Sequence, residues 1–128
     1  MAALKVLVIE DMTEYAALTL ETLKQIKIEG DWVQTGKEAL TYLEKQIPDA
    51  ILLDLGLPDM TGWDVLTTIN EKYAEQHIPI VVLTAHGDNP NRLIGKLQYV
   101  SGYIVKPYKP KHLIESLTDI LELYKIIV

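Results

Sequence analysis

The chain has 128 residues, 18 of them acidic against 12 lysines and arginines, and its net charge is −6. That length fits one domain, residues 1–128, and 48% hydrophobic with 23% charged residues exclude a disordered or low-complexity chain. The absence of cysteine excludes disulfides, thiolate metal sites and thiol nucleophiles, and the acidic balance with Arg92 as the sole arginine disfavours direct nucleic-acid reading.

The first apolar run, Lys5 to Ile9, reads as a buried strand and ends in Glu10-Asp11. A helix is expected from about Thr13 to Lys27, with Ala16, Leu20, Leu23 and Ile26 on its inner face. A weak second strand lies around Asp31 to Gln34. Thr35-Gly36-Lys37-Glu38 then forms a capping box that opens a second helix. The third strand, Ala50 to Leu53, delivers Asp54 at its end. Thr61-Gly62-Trp63-Asp64 opens a third helix with a shorter acid in the box, and Trp63, just inside it, is expected to pack.

The fourth strand, Ile80 to Leu83, leads into Thr84-Ala85, and Asn89-Pro90 marks the start of a fourth helix. The fifth strand, Gly102 to Val105, ends in Lys106-Pro107. Lys109-Pro110 opens a fifth helix reaching about Tyr124, with Leu113, Leu117, Ile120, Leu121 and Tyr124 as its inner stripe. Strands that are near-continuously apolar, alternating with helices, indicate a doubly wound α/β protein whose parallel sheet is covered on both faces. No run approaches the roughly 20 apolar residues that cross a bilayer. No export signal is present either, so a cytoplasmic protein is expected. An acidic surface also disfavours membrane binding.

In an open parallel sheet, ligands bind beyond the carboxyl ends of the strands. Those ends carry Glu10, Asp11, Asp54, Thr84 and Lys106. Carboxylates about 5 Å apart repel by roughly 3 kcal/mol per pair at an effective dielectric near 20. A divalent cation relieves that repulsion, and an oxygen-only ligand set favours a hard ion such as Mg²⁺, with Mn²⁺ as a substitute. An aspartate between such an ion and a lysine is a competent nucleophile toward a phosphoryl group. Taken singly, each residue also has a plain reading as a strand-end or helix-start residue; their joint occurrence at four strand ends is what points to chemistry.

The stretch from Pro48 to Gly62, with Val8-Ile9-Glu10-Asp11, Leu83-Thr84-Ala85 and Tyr103-Ile104-Val105-Lys106-Pro107-Tyr108, resembles the receiver domain of two-component response regulators. The resemblance implies a flavodoxin-like sheet of order 2-1-3-4-5 with five helices. It implies that Asp54 is the phosphoacceptor for a sensor histidine kinase or phosphotransfer protein, and that Glu10, Asp11, Asp54 and the Gly56 carbonyl hold Mg²⁺. Thr84 and Ala85 would contact the phosphoryl group, Lys106 would be its counter-charge, and the Tyr103 rotamer would follow activation. A cis Lys106–Pro107 bond is also implied. Phosphorylation would switch the surface of the fourth helix, fifth strand and fifth helix toward a downstream protein, an output domain or a second copy.

Glu10 stands where the family more often has aspartate. The segment before the fifth strand and Asn89-Pro90-Asn91 also depart from the common pattern, which bears on partner choice. His86 is a candidate modulator of dephosphorylation, while His77 and His112 are expected at the surface. Trp32 is not assignable if the second strand is an edge. The fifth helix runs almost to Val128, so the chain is expected to act by docking or by relaying phosphate. It is not expected to be an enzyme beyond its own phosphorylation and dephosphorylation. The alternatives are a phosphorylation-independent interaction module with the same fold and a phosphohydrolase. The intact charged set disfavours the first; the lack of a second aspartate two residues after Asp54 disfavours the second.

Overall fold

A computed structural model of the chain describes residues 4–84 and 101–127. Its strands are β1 (Lys5–Ile9), β2 (Glu29–Val33), β3 (Ala50–Asp54), β4 (Ile80–Thr84) and β5 (Gly102–Val105). All pair in parallel in the order β2-β1-β3-β4-β5. Among the described residues the helices are α1 (Thr13–Gln25), α2 (Gly36–Lys45), α3 (Gly62–Lys72) and α4 (Pro110–Ile127), with a 3₁₀ turn at Ala74–Gln76. The helix α4 is the fifth expected from sequence. The fourth expected helix, with its Asn89-Pro90 start, lies outside the described residues.

Alternation along the strands divides the core into two layers, because successive side chains point to opposite faces. Val6, Val8, Leu52, Val81, Leu83 and Ile104 face α1 and α4, meeting Leu23, Leu113 and Leu117. Leu7, Ile9, Ile51, Leu53 and Val82 face α2 and α3, meeting Ala39, Leu43, Val65 and Ile69. Every residue of β3 is buried, as befits a central strand covered on both sides.

Several boundaries differ from the sequence expectation. The strand β2 begins at Glu29, two residues before the expected Asp31, and its polar sequence is tolerated because it is the sheet edge. There Lys5 bridges Glu29 and Asp31, and the Tyr42 hydroxyl donates to Asp31. The helix α1 stops at Gln25, short of the expected Lys27. Lys27 takes a left-handed φ of 60° while the Ile28 amide bonds back to the Leu23 carbonyl, a helix stop made without the usual glycine.

The buried side of α1 is Ala16, Thr19, Thr22 and Leu23, whereas Leu20 and Ile26 are half-buried. The two threonines are accommodated because their hydroxyls are satisfied, Thr19 by Tyr108 and Thr22 by the Leu18 carbonyl. In α4 the expected Leu113, Leu117, Ile120 and Leu121 are buried. Trp63 packs half-buried against the second core layer, and His77 and His112 are exposed.

Capping follows the sequence in kind, with the roles exchanged. At α2 the Thr35 hydroxyl accepts the Glu38 amide, but the Glu38 carboxylate returns to the hydroxyl and not to the Thr35 amide. At α3, Thr61 and Asp64 make the full reciprocal box. The start of α3 is further fixed by Gly62, whose amide donates to the Leu55 carbonyl.

A Cβ at Gly62 would lie 2.5 Å from the Leu55 Cα and 2.6 Å from the Asp54 carbonyl oxygen, both backbone atoms that cannot swing aside. Gly62→Ala is therefore expected to destabilise the protein by about 1–3 kcal/mol, the usual cost of forcing extra volume into packed structure. A urea unfolding midpoint equal to wild type would contradict this.

Candidate functional site

Five strands running the same way bring their carboxyl ends to one edge, and the register aligns them closely. Ile9 pairs with Leu53 and Asp54 with Leu83, so Glu10 and Asp11 emerge beside Asp54. Thr84 ends β4 level with Val105, the residue before Lys106. The edge strand also contributes: the Glu10 amide donates to the Val33 carbonyl and the Trp32 indole donates to the Glu10 carbonyl at 2.7 Å. Both bonds tie the Glu10 backbone to β2.

The Lys106 ammonium lies 2.6 Å from Glu10 Oε1 and 3.4 Å from Asp54 Oδ2. Asp54 Oδ1 accepts the Gly56 amide at 3.1 Å, and Glu10 Oε2 accepts the Met12 amide at 3.3 Å. The Glu10 and Asp54 side chains are nearly inaccessible and that of Lys106 is 11% exposed. Glu10 Oε1 makes close charge contact with the ammonium but has no well-aligned hydrogen bond, so a buried oxygen keeps unused acceptor capacity. Over the ammonium sits the Tyr15 ring, 4.3 Å from nitrogen to centroid. The Lys106–Pro107 bond is cis, as the resemblance implies.

Burial raises the Glu10 pKa to about 7 from 4.5, helped by hydrogen bonding and repulsion from Asp54 and opposed by Lys106. For Asp54, burial also pushes upward, but hydrogen bonding with Glu10, the Gly56 amide and the Lys106 charge outweigh it, and the net shift is down. For Lys106, burial pushes downward and the two carboxylates more than reverse it. The crevice therefore favours ionised Asp54 against a protonated ammonium, with Glu10 the group that takes up or gives off a proton.

Glu10, Asp11 and Asp54 each offer a carboxylate oxygen, and these lie within 4.8 Å of one another. An all-oxygen group of this kind, with one buried oxygen short of a donor, fits a hard divalent cation.

The loop after Asp54 is tied down at a distance. Asp59 accepts the amides of Gly36 and Lys37 at 2.9 and 3.0 Å, capping α2 from across the fold, and those bonds lower its pKa. A Cβ at Gly36 would collide with Met60, so the loop and the helix start sit in direct contact.

The model of the response regulator receiver domain family matches residues 6–118, and the chain belongs to that family. It is 38% identical over 99 residues to the regulatory protein LuxO of Vibrio cholerae serotype O1, covering 77% of this chain and 21% of that protein. To the DNA-binding response regulator MtrA of Mycobacterium leprae it is 34% identical over 110 residues, 86% of this chain and 48% of the other. The chain thus spans a half or less of these curated relatives. Among solved structures, a signal receiver domain from Vibrio parahaemolyticus superimposes with a TM-score of 0.89 at 31% identity, covering 98% of this chain and 95% of that one. The chemotaxis response regulator CheY4 of Vibrio cholerae gives 0.84 at 27% identity over 93% and 99%.

Of the residues expected from sequence, Glu10, Asp11, Asp54 and Lys106 come together, and Gly56 adjoins them through its amide. Tyr103 is 52% exposed on β5. Thr84 lies at the same edge by backbone register; Ala85 and His86 lie outside the described residues. Sequence reasoning missed Tyr15, Asp59 and the Trp32–Glu10 bond. An aromatic in the first turn after the acidic pair was an available sign of Tyr15; nothing local announces that Asp59 caps a helix 22 residues upstream.

Because Glu10 holds its proton more tightly when folded, its contribution to stability is full below pH 4.5 and is lost as pH rises through about 7. Asp54 has the opposite sign, stabilising above its unfolded pKa and losing that as pH falls. In buffer free of divalent cations, unfolding midpoints should decline between pH 4.5 and 7 through Glu10, and Glu10→Gln should flatten the decline. An unchanged slope in the variant would contradict the assignment.

Proposed function

We propose that the chain is a phosphoacceptor switch, in which Asp54 takes a phosphoryl group from the phosphohistidine of a sensor kinase or phosphotransfer protein. The observation that carries this is a buried Asp54 whose two oxygens are held by the Gly56 amide and the Lys106 ammonium, at the mouth of a metal-compatible acidic group.

An Asp54 oxygen attacks phosphorus, a P–O bond forms, and the P–N bond to the imidazole breaks. The departing nitrogen keeps the electron pair, and the leaving imidazole is neutral because its other ring nitrogen carries a proton. Since Asp54 is already a carboxylate, no general base is required. Lys106 neutralises charge on the transferring oxygens, and its contact with Asp54 holds it on the side where that charge develops. The last register position of β4 supports the role the resemblance gives Thr84, a hydroxyl donor to a phosphoryl oxygen. Mg²⁺, or Mn²⁺ in its place, would be held by Asp11, Asp54, Glu10 and the Gly56 carbonyl, and supplies charge neutralisation to the phosphoryl oxygens when bound.

The chain acts on itself and not on an external substrate. Its output is a protein surface: Tyr103 and Val105 are exposed on β5 beside α4, which supports docking of a downstream protein, an output domain or a second copy there. Phosphorylation alters that surface only through a difference in how it stabilises two arrangements of the protein. The absence of cysteine supports residence in a reducing compartment such as the cytoplasm.

Incubation with a phosphorylated kinase or acetyl phosphate should yield a hydroxylamine-sensitive phosphoprotein. Asp54→Asn should abolish it, and chelation of divalent cations should do the same to wild type. A phosphoadduct of the same lability persisting in Asp54→Asn would refute the role of Asp54. No adduct in wild type under any donor would favour a phosphorylation-independent interaction module.

A further inference from the structure

Lysine carries its charge on a flexible four-carbon stem, so an ammonium that must serve one phosphoryl oxygen needs something to limit its freedom. Two carboxylates alone do this poorly, since the closer, Glu10 at 2.6 Å, draws the nitrogen away from Asp54 at 3.4 Å. The third neighbour is the face of Tyr15, 4.3 Å from the nitrogen.

That ring is itself braced. Tyr15 lies in the first turn of α1, and its ring stands 5.5 Å from that of Tyr108 at an interplanar angle of 43°. Tyr108 is buried, and its hydroxyl is held by Thr19, one turn further along α1, at 2.7 Å. A helix side chain leans toward the helix N-terminus, which here carries Tyr15 toward the strand ends. Thr19, Tyr108 and Tyr15 thus form a continuous prop for the ammonium of a lysine whose side chain is 11% exposed. The negative ring face attracts a cation most when water is largely excluded.

We propose that Tyr15 is a positioning residue for phosphotransfer, holding the Lys106 ammonium by a cation–π contact at the place where the phosphoryl oxygens arrive. The inference rests on the reading of Asp54 as phosphoacceptor. It predicts that the ring's electrons, and not only its bulk, set the rate at which Asp54 is phosphorylated. Tyr15→Phe keeps the π face and should phosphorylate at the wild-type rate, whereas Tyr15→Leu should be slower by roughly 3- to 30-fold, as a cation–π contact of ordinary strength implies.

The test separates shape from electrons by placing phenylalanine or pentafluorophenylalanine at position 15 of the full chain. The two rings are nearly alike in shape and opposite in quadrupole, so a fluorinated protein that folds keeps the packing and loses the attraction. Two readouts are taken. The first is the NMR shift of the Lys106 ε-methylene protons in unphosphorylated protein, which needs no phosphotransfer. These protons should lie upfield in wild type and Tyr15→Phe, and move toward the free-lysine position in Tyr15→Leu and with the fluorinated ring.

The second readout is the rate of acetyl phosphate labelling at saturating Mg²⁺, which should fall in the same two proteins. If wild type is not labelled, the phosphoacceptor reading fails while the methylene shifts still decide the contact. If wild type is labelled but the fluorinated and phenylalanine proteins react at equal rates, the positioning role is overturned. Equal methylene shifts in Tyr15→Leu and wild type would overturn the contact itself.

Discussion

A single ammonium shared between two buried carboxylates is the constraint on which the rest of this structure turns. Lys106, Glu10 and Asp54 come from β5, β1 and β3, and none can be far from water in isolation without a large desolvation cost. Together they tolerate burial, and burial combined with their mutual interactions separates their proton affinities: the pKa of Glu10 is raised to about 7 and that of Asp54 is lowered. A sheet of parallel strands is the means by which three distant segments deliver these groups to one edge. The two apolar layers, with α1 and α4 on one side and α2 and α3 on the other, hold that edge in register.

Around this charged centre the chain invests in fixing backbone. Glu10 is held by Val33 and Trp32 of the edge strand, Asp54 by the Gly56 amide, and the following loop by Asp59 on the α2 amides. The Thr61–Asp64 box and the close approach of Gly62 to the Asp54 carbonyl begin α3 immediately after that loop. The loop after Asp54 is therefore tied to two helices of one face, while Lys106 is braced through Tyr15 and Tyr108 to α1 on the other. Asp54 is thus linked to both faces of the sheet through short, identifiable contacts.

The fold and most of the site were legible because both depend on local patterns. Apolar runs as continuous as Ile51-Leu52-Leu53 are the mark of strands covered on both faces, and the charged residues that follow each run fall at strand ends by necessity. The second strand was read two residues late because Glu29-Gly30-Asp31 carries no apolar signal; its pairing comes from Lys5 and the edge position. The end of α1 was overrun because the stop uses a left-handed Lys27 where a glycine would have announced it. Hydropathy favours Leu20 and Ile26 over the buried Thr19 and Thr22, since it ignores hydroxyls that find partners in the fold. Tyr15 and Asp59 act on residues many positions away, and such contacts exist only once the strands are assembled.

The central claim is that Glu10, Asp11 and Asp54 form one acidic group built for a hard divalent cation, and that Glu10's proton competes with it. Thermal unfolding at constant ionic strength, with and without Mg²⁺, tests this most directly, because a ligand that binds the folded state alone raises the midpoint in a saturable way. The account predicts a rise with Mg²⁺ that is larger at pH 8 than at pH 6 and is lost in Asp11→Asn/Asp54→Asn. No Mg²⁺-dependent rise at pH 8, or one equally large in that double variant, would contradict it.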